Sequence, residues 1–103
     1  MELRVQWTDK AKLDIKEIFI FYSEIASKKV AKSITKNIVK RSLDLKLNPY
    51  LGVIEEYLIH RTKNYRSIIY GKYKIIYFVE NESVNIAAVF DCRQNPIKLS
   101  NIN

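Results

Sequence analysis

The sequence predicts an α+β domain, on three observations. Its first residues alternate apolar and polar, two helical stripes follow, and three short runs rich in aromatic and β-branched residues close the chain. The expected order is an N-terminal strand, an antiparallel helix hairpin and a three-stranded antiparallel meander. A four-stranded sheet of this kind must cover one face, and the helix hairpin can do so. At 103 residues the chain has room for one domain, residues 1–103.

From Glu2 to Trp7, Leu3, Val5 and Trp7 fall on one side and Glu2, Arg4 and Gln6 on the other, which is the pattern of a half-buried strand. Thr8 suits a helix N-cap, and Asp9 puts an anion in the first turn, where the helix dipole favours it. The period then lengthens. Ala11, Ile15, Ile18, Phe19, Tyr22 and Ile25 share one helical face. Ser27 can cap a second helix whose stripe is Val30, Ile34, Ile38 and Leu45, with Ala31 and Leu43 beside it. Asn48-Pro49 should end that helix, because a residue before proline disfavours helical backbone. Only a residue or two around Ala26 joins the helices, so they should lie antiparallel.

Pro49 to Asn64 is the least regular part. Pro49-Tyr50-Leu51-Gly52 has turn composition, and Val53 to Ile59 fits either a short strand or an ordered loop. The strands Tyr65–Tyr70, Tyr73–Val79 and Val84–Asp91 follow, joined by turns at Gly71-Lys72 and at Glu80 to Ser83. The tail from Gln94 to Asn103 shows little pattern. Trp7, Ile15, Ile18, Tyr22, Ile34, Ile38, Ile75, Tyr77 and Ile86 are the expected core.

Eighteen Lys and Arg against eleven Asp and Glu leave a net charge of +7, which attracts polyanions or an acidic protein. The cations cluster. Lys28, Lys32, Lys36 and Lys40 recur every four residues and form one stripe on the second helix, either a solvated face or a contact surface. Arg61, Lys63, Arg66, Lys72 and Lys74 form a second group, with no acid between Tyr57 and Val79. The single Cys92 excludes an intrachain disulfide and a cysteine metal site, and the single His60 excludes a multi-histidine site. No metal or other cofactor is expected. His60 fits a solvated loop better than an acid/base role, and Cys92 a small packing residue better than a reactive thiol. The start, MELRVQWTDK, is charged where a signal peptide is apolar, and no run approaches the length of about 18 apolar residues that spans a membrane. A cytoplasmic location away from membranes is expected.

Specific residues add to the element order. Trp7, Ala11, Asp14-Ile15, Ile18 and Tyr22 begin the pattern, and Pro49 and Gly52 follow the second helix. Arg66 to Val79 reads RSIIYGKYKIIYFV, and Val89 to Leu99 reads VFDCRQNPIKL. In this order, from Val5 to about Leu99, these motifs resemble the RelE/ParE toxin superfamily of type II toxin–antitoxin systems. The spacing of the hairpin and the long helix pair look more like its ParE branch.

The resemblance implies a growth-inhibitory toxin held inactive by an acidic cognate antitoxin. ParE-like members inhibit DNA gyrase, the favoured mechanism, without acting as nucleases. RelE-like members cleave mRNA on the ribosome as metal-free endoribonucleases. A basic interaction module without toxicity is a third reading.

Matched by motif, Arg66, Lys74 and Arg93 occupy the family's basic site positions, as target-binding or phosphate-stabilising groups. Asp91 can orient Arg93 or simply pair with it. Two departures count against nuclease chemistry: a second basic position falls at Ile68, and a late tyrosine position falls near Leu99. Neither side chain moves a proton. Tyr70, Tyr73 and Tyr77 are better read as core, although Tyr73 or Tyr77 with its pKa lowered by Lys74 or Arg93 is the remaining route to a proton-transfer group.

Overall fold

The computed structural model describes residues 2–102. The elements run β1 Arg4–Trp7, α1 Asp9–Ile25, α2 Lys28–Ser42, β2 Val53–Ile54, β3 Arg66–Tyr70, β4 Tyr73–Glu80 and β5 Ser83–Asp91. The sheet order is β1-β5-β4-β3-β2, with β1 parallel to β5 and the other neighbours antiparallel. The α+β order is as expected, but the sheet has five strands rather than four. Val53 and Ile54 pair with Ser67 and Arg66, so the undecided stretch contributes a short edge strand.

Both helix caps form: the Thr8 hydroxyl accepts from the Ala11 N–H, and the Ser27 hydroxyl from the Val30 N–H. The second helix stops at Ser42, short of the expected Asn48-Pro49 boundary, and gives way to a tighter turn over Leu43–Leu45. There the Ser42 hydroxyl bonds back to the Val39 carbonyl. The tighter winding carries Leu45 into the core.

Ile18, Ile38, Ile75, Tyr77 and Ile86 are buried as expected. Trp7, Ile15, Tyr22 and Ile34 are only half-buried and pack at the rim of that cluster. Ile25 and Val30, expected on the apolar stripes, are exposed on either side of the two-residue link between the helices.

A second apolar cluster lies on the other sheet face. Ile76, Ala88 and Phe90 meet Leu58, Tyr65, Leu99 and Ile102 there. The tail, patternless in sequence, folds into a turn over Pro96–Asn101, capped by the Asn95 side chain, and covers this face. Both sides of the sheet are therefore covered, where one was expected.

A bulge in β5 shapes the region near α1. Ile76 pairs with Ala88 while Tyr77 pairs with Ile86, so Ala87 is an extra residue. It turns Val89 back toward the helices. Pairing of β1 with β5 ends at Trp7–Ile86. Beyond it the start of α1 replaces a strand: the Thr8 hydroxyl donates to the Ala87 carbonyl (3.2 Å), and the Val89 N–H donates to the Asp14 carboxylate (2.9 Å).

Candidate functional site

Arg66 opens β3 opposite Tyr77, and Lys74 lies on β4 opposite Ile69. Alternate residues of a strand point to opposite faces. Arg66 therefore shares the helix-covered face with Ile68, and Lys74 the other face with Ile76. The Arg66 guanidinium donates to the Gly52 carbonyl (2.8 Å) and lies over the Tyr50 ring at 5.2 Å. The Lys74 ammonium pairs with Glu55, whose side chain is only 4% exposed.

Arg93 sits past the end of β5. Its guanidinium grips Asp91 with two bonds, Nε–Oδ1 at 3.1 Å and Nη2–Oδ2 at 2.8 Å, while 65% of its side chain remains exposed. That grip holds the Asp91 carboxyl below the usual aspartate value. The pairing of Asp91 is thus an end-of-strand salt bridge that also orients Arg93.

The three matched cations do not converge. Arg66 and Lys74 occupy opposite faces. Asp91 pairs with Tyr73 and Arg66 with Tyr77, four positions apart along β4, which is about 13 Å. The second basic group disperses as well: Lys63 pairs with Glu80 at 3.0 Å, and Lys72 lies over the Tyr22 and Tyr73 rings at 5.1 and 5.8 Å. The lysine stripe of α2 faces water.

Ile68 and Leu99 are buried in the two different cores, one on each face of the sheet. Tyr73 and Tyr77 are buried too, and burial pushes both phenols up, the reverse of the lowering that proton transfer near neutrality needs. Tyr77 pins the loop before β2: its hydroxyl donates to the Pro49 carbonyl (2.8 Å) and accepts from the Gly52 N–H (2.9 Å). The approach is so close that a Cβ on Gly52 would sit 2.7 Å from that hydroxyl. Pro49 and Gly52, quoted for the family match, thus have a physical role here.

Two residues with chemical potential were missed in the sequence. Glu55, in the irregular stretch, is buried beside Lys74. Tyr22, read as a core residue of α1, stands beside Lys72; that ammonium, foremost, and the Tyr73 hydroxyl donating at 3.4 Å hold its phenol below the ordinary tyrosine value. No sequence signal marks either, since each depends on a partner brought in from a distant element.

His60 is exposed. Cys92 is a free surface cysteine rather than a packing residue, and partial burial of its sulfur pushes the thiol up, which disfavours the reactive thiolate. Among the described residues, no group of three His, Cys, Asp or Glu side chains could hold a metal ion.

One concavity, a groove of about 480 Å³, lies between α1, the far half of β5 and the C-terminal turn. Ile18, Phe21 and Val89 line its apolar side, and Arg93 and Tyr73 stand at one end. No described helix is long and apolar enough to cross a membrane.

Comparison with known proteins agrees with this architecture. A chain from the chromosomal ParDE toxin–antitoxin system of P. aeruginosa superposes with a TM-score of 0.72 at 16% identity, covering 87% of this chain and 96% of that one. None of the curated proteins matches. The family model for the ParE toxin of the type II toxin–antitoxin system parDE matches residues 5–96, nearly the whole chain. This chain belongs to the ParE toxin family of type II toxin–antitoxin systems.

Proposed function

We propose that this toxin arrests growth by binding DNA gyrase, in the cytoplasm, and that an acidic antitoxin holds it inactive. The observation that carries this reading is the scattering of its cations. Metal-free cleavage of RNA needs a base, an acid and phosphate-stabilising cations around one phosphodiester. Here Arg66 is tied to the loop carbonyl of Gly52 and Lys74 to Glu55, on opposite faces. Arg93 alone of the three holds most of its side chain in solvent. Such an arrangement suits recognition of a macromolecular surface, with Arg93 a target contact and Arg66 and Lys74 chiefly supports of the fold. The net charge of +7 favours an acidic neutralising partner by steering and complementarity.

The competing reading, cleavage of mRNA on the ribosome, draws on one specific feature. Glu55 beside Lys74 sets a carboxylate against an ammonium, two kinds of group that acid–base cleavage uses. Induction of the chain in cells separates the two. The gyrase reading expects loss of DNA supercoiling, filamentous cells and a DNA-damage response, with mRNA intact by primer extension. Sharp, codon-positioned cuts within minutes of induction would overturn it. The partner reading is tested by co-expressing the acidic product of a neighbouring gene, which should bind in pull-down and relieve the arrest.

A further inference from the structure

At the corner where the β3–β4 turn meets α1, a cation is set against two phenols that pack at the edge of the core. Lys72 follows the turn glycine Gly71, and its ammonium leans over the two phenol rings of Tyr22 and Tyr73. The two hydroxyls lie 3.4 Å apart. Arg93 and its partner Asp91 stand close enough for their charges to act on both phenols or on Tyr73. Lys72, Arg93 and Asp91 leave one net positive charge there, beside two linked hydroxyls, Tyr73's donating to Tyr22's and Tyr22's left to donate outward. That is the complement of a single monoanion.

Two members of this corner, Tyr73 and Arg93, line one end of the groove beside β5, and Tyr22 and Lys72 stand against Tyr73 just outside it. The Val89 N–H points to the Asp14 carboxylate, away from β4. By the two-residue period of a strand, the Val89 carbonyl and the Asp91 N–H point the same way, into the edge that β1 has left. The Asp91 carbonyl is already taken by the Gln94 N–H at 3.0 Å. The groove thus offers an extended chain backbone hydrogen-bonding groups, an apolar wall of Ile18, Phe21 and Val89, and, through Arg93 and Tyr73, access to the cationic corner at its end.

We propose that this corner, formed by Lys72, Arg93, Tyr22 and Tyr73, binds the carboxylate of an acidic side chain in an extended, otherwise apolar segment of a partner protein lying along the groove. The segment belongs to the acidic antitoxin, so the inference rests on the partner reading above. A protein carboxylate suits the site better than a nucleic-acid backbone. A nucleic-acid strand carries a phosphate on every nucleotide, about one per 3.4 Å of duplex axis. It would lay its next charges against Glu17 and Asp14 on the groove wall, where, among the described lining residues, Lys10 is already paired with Asp14 at 2.9 Å and Lys98 is the one further cation. A peptide can place one acid at the corner and apolar residues beside the rest. The Lys72 ammonium, now shared with Tyr22, moves to the incoming carboxylate on binding.

The test uses the whole isotope-labelled protein and two probes, the peptides acetyl-Leu-Glu-Leu-amide and acetyl-Leu-Gln-Leu-amide, with tetrathymidylate as the nucleic-acid probe. Titration by NMR should show the Glu peptide shifting the Arg93 Nε–H and the Tyr22 and Tyr73 ring signals. It should bind about tenfold tighter than the Gln peptide, which is about 1.4 kcal/mol. Lys72→Gln should erase that difference and Lys72→Arg should keep it. Absorbance titration should show the Tyr22 phenol ionising at higher pH when the Glu peptide is bound.

Equal binding of the two peptides to the unaltered protein overturns the proposal, whatever the variants do. So does tetrathymidylate displacing the Glu peptide from the same signals at lower concentration, which would assign the corner to nucleic acid. If the peptides bind alike while the acidic partner still relieves arrest, this corner is wrong and the partner reading stands. If the Glu peptide binds here and no acidic partner relieves arrest, the carboxylate chemistry of the corner stands and the partner reading falls.

Discussion

Replacing Lys74 with alanine leaves Glu55 as a buried carboxylate without its cation. The Glu55 side chain is 4% exposed and that of Lys74 is 23% exposed. Breaking a fully buried pair costs 3–5 kcal/mol; with Lys74 partly in solvent the cost should be about 2–3 kcal/mol. For a domain of this size that lowers the melting temperature by roughly 10–20 °C. Removing both charges is different, because the desolvation penalty goes as well. The double variant Glu55→Gln with Lys74→Met should lie within about 1 kcal/mol of the parent. Thermal and urea unfolding followed by circular dichroism measure both. A Lys74→Ala variant within about 0.5 kcal/mol of the parent would refute the reasoning, since that is the scale of a solvent-screened surface pair. The comparison matters for function. If Lys74→Ala loses toxicity while the double variant keeps it, Lys74 supports the fold rather than contacting a target.

Tyr77→Phe should cost about 1–3 kcal/mol in urea unfolding, since it leaves the Pro49 carbonyl and the buried Gly52 N–H without their shared partner. Glu82 holds a left-handed backbone at φ 59° in the β4–β5 turn, beside Asn81 at φ 54°. Asn-Gly is the preferred pair for such a turn, so Glu82→Gly should stabilise by about 1 kcal/mol and raise the melting temperature several degrees. Stability should fall as pH rises above about 10, because burial raises the Tyr65, Tyr73 and Tyr77 phenols and the unfolded chain then releases protons that the native state keeps. Tyr22 works in the opposite sense, since its lowered phenol ionises first in the native state and so adds stability as pH approaches 10. Melts between pH 8 and 11 should show a net decline, and Tyr77→Phe should make it shallower.

The periodic elements were legible because each has its own local signal. The alternation to Trp7, the caps Thr8 and Ser27 and the aromatic runs of β4 and β5 all mark elements that form where expected. What escaped was set by distant contacts. Val53 and Ile54 are a strand only because β3 offers them an edge. Leu99 and Ile102 carry no period, yet the apolar far face of β4 and β5 draws them into a second core. The candidate site suffered most, for the same reason. Motif order put Arg66 and Lys74 in one basic group, and strand alternation sends them to opposite faces. Tyr22 and Lys72 are fifty residues apart in sequence, and nothing local brings them together.

Supercoiling by purified gyrase, with no ribosomes present, is the most direct test of the central claim. The folded toxin should block conversion of relaxed plasmid to supercoiled plasmid in proportion to its concentration. Arg93→Ala, whose melting temperature should stay within a few degrees of the parent, should need at least tenfold more protein for the same block, the effect of losing about 1.4 kcal/mol of binding. Unimpaired supercoiling in the presence of excess toxin, from a preparation that still arrests growth when produced in cells, would contradict the account.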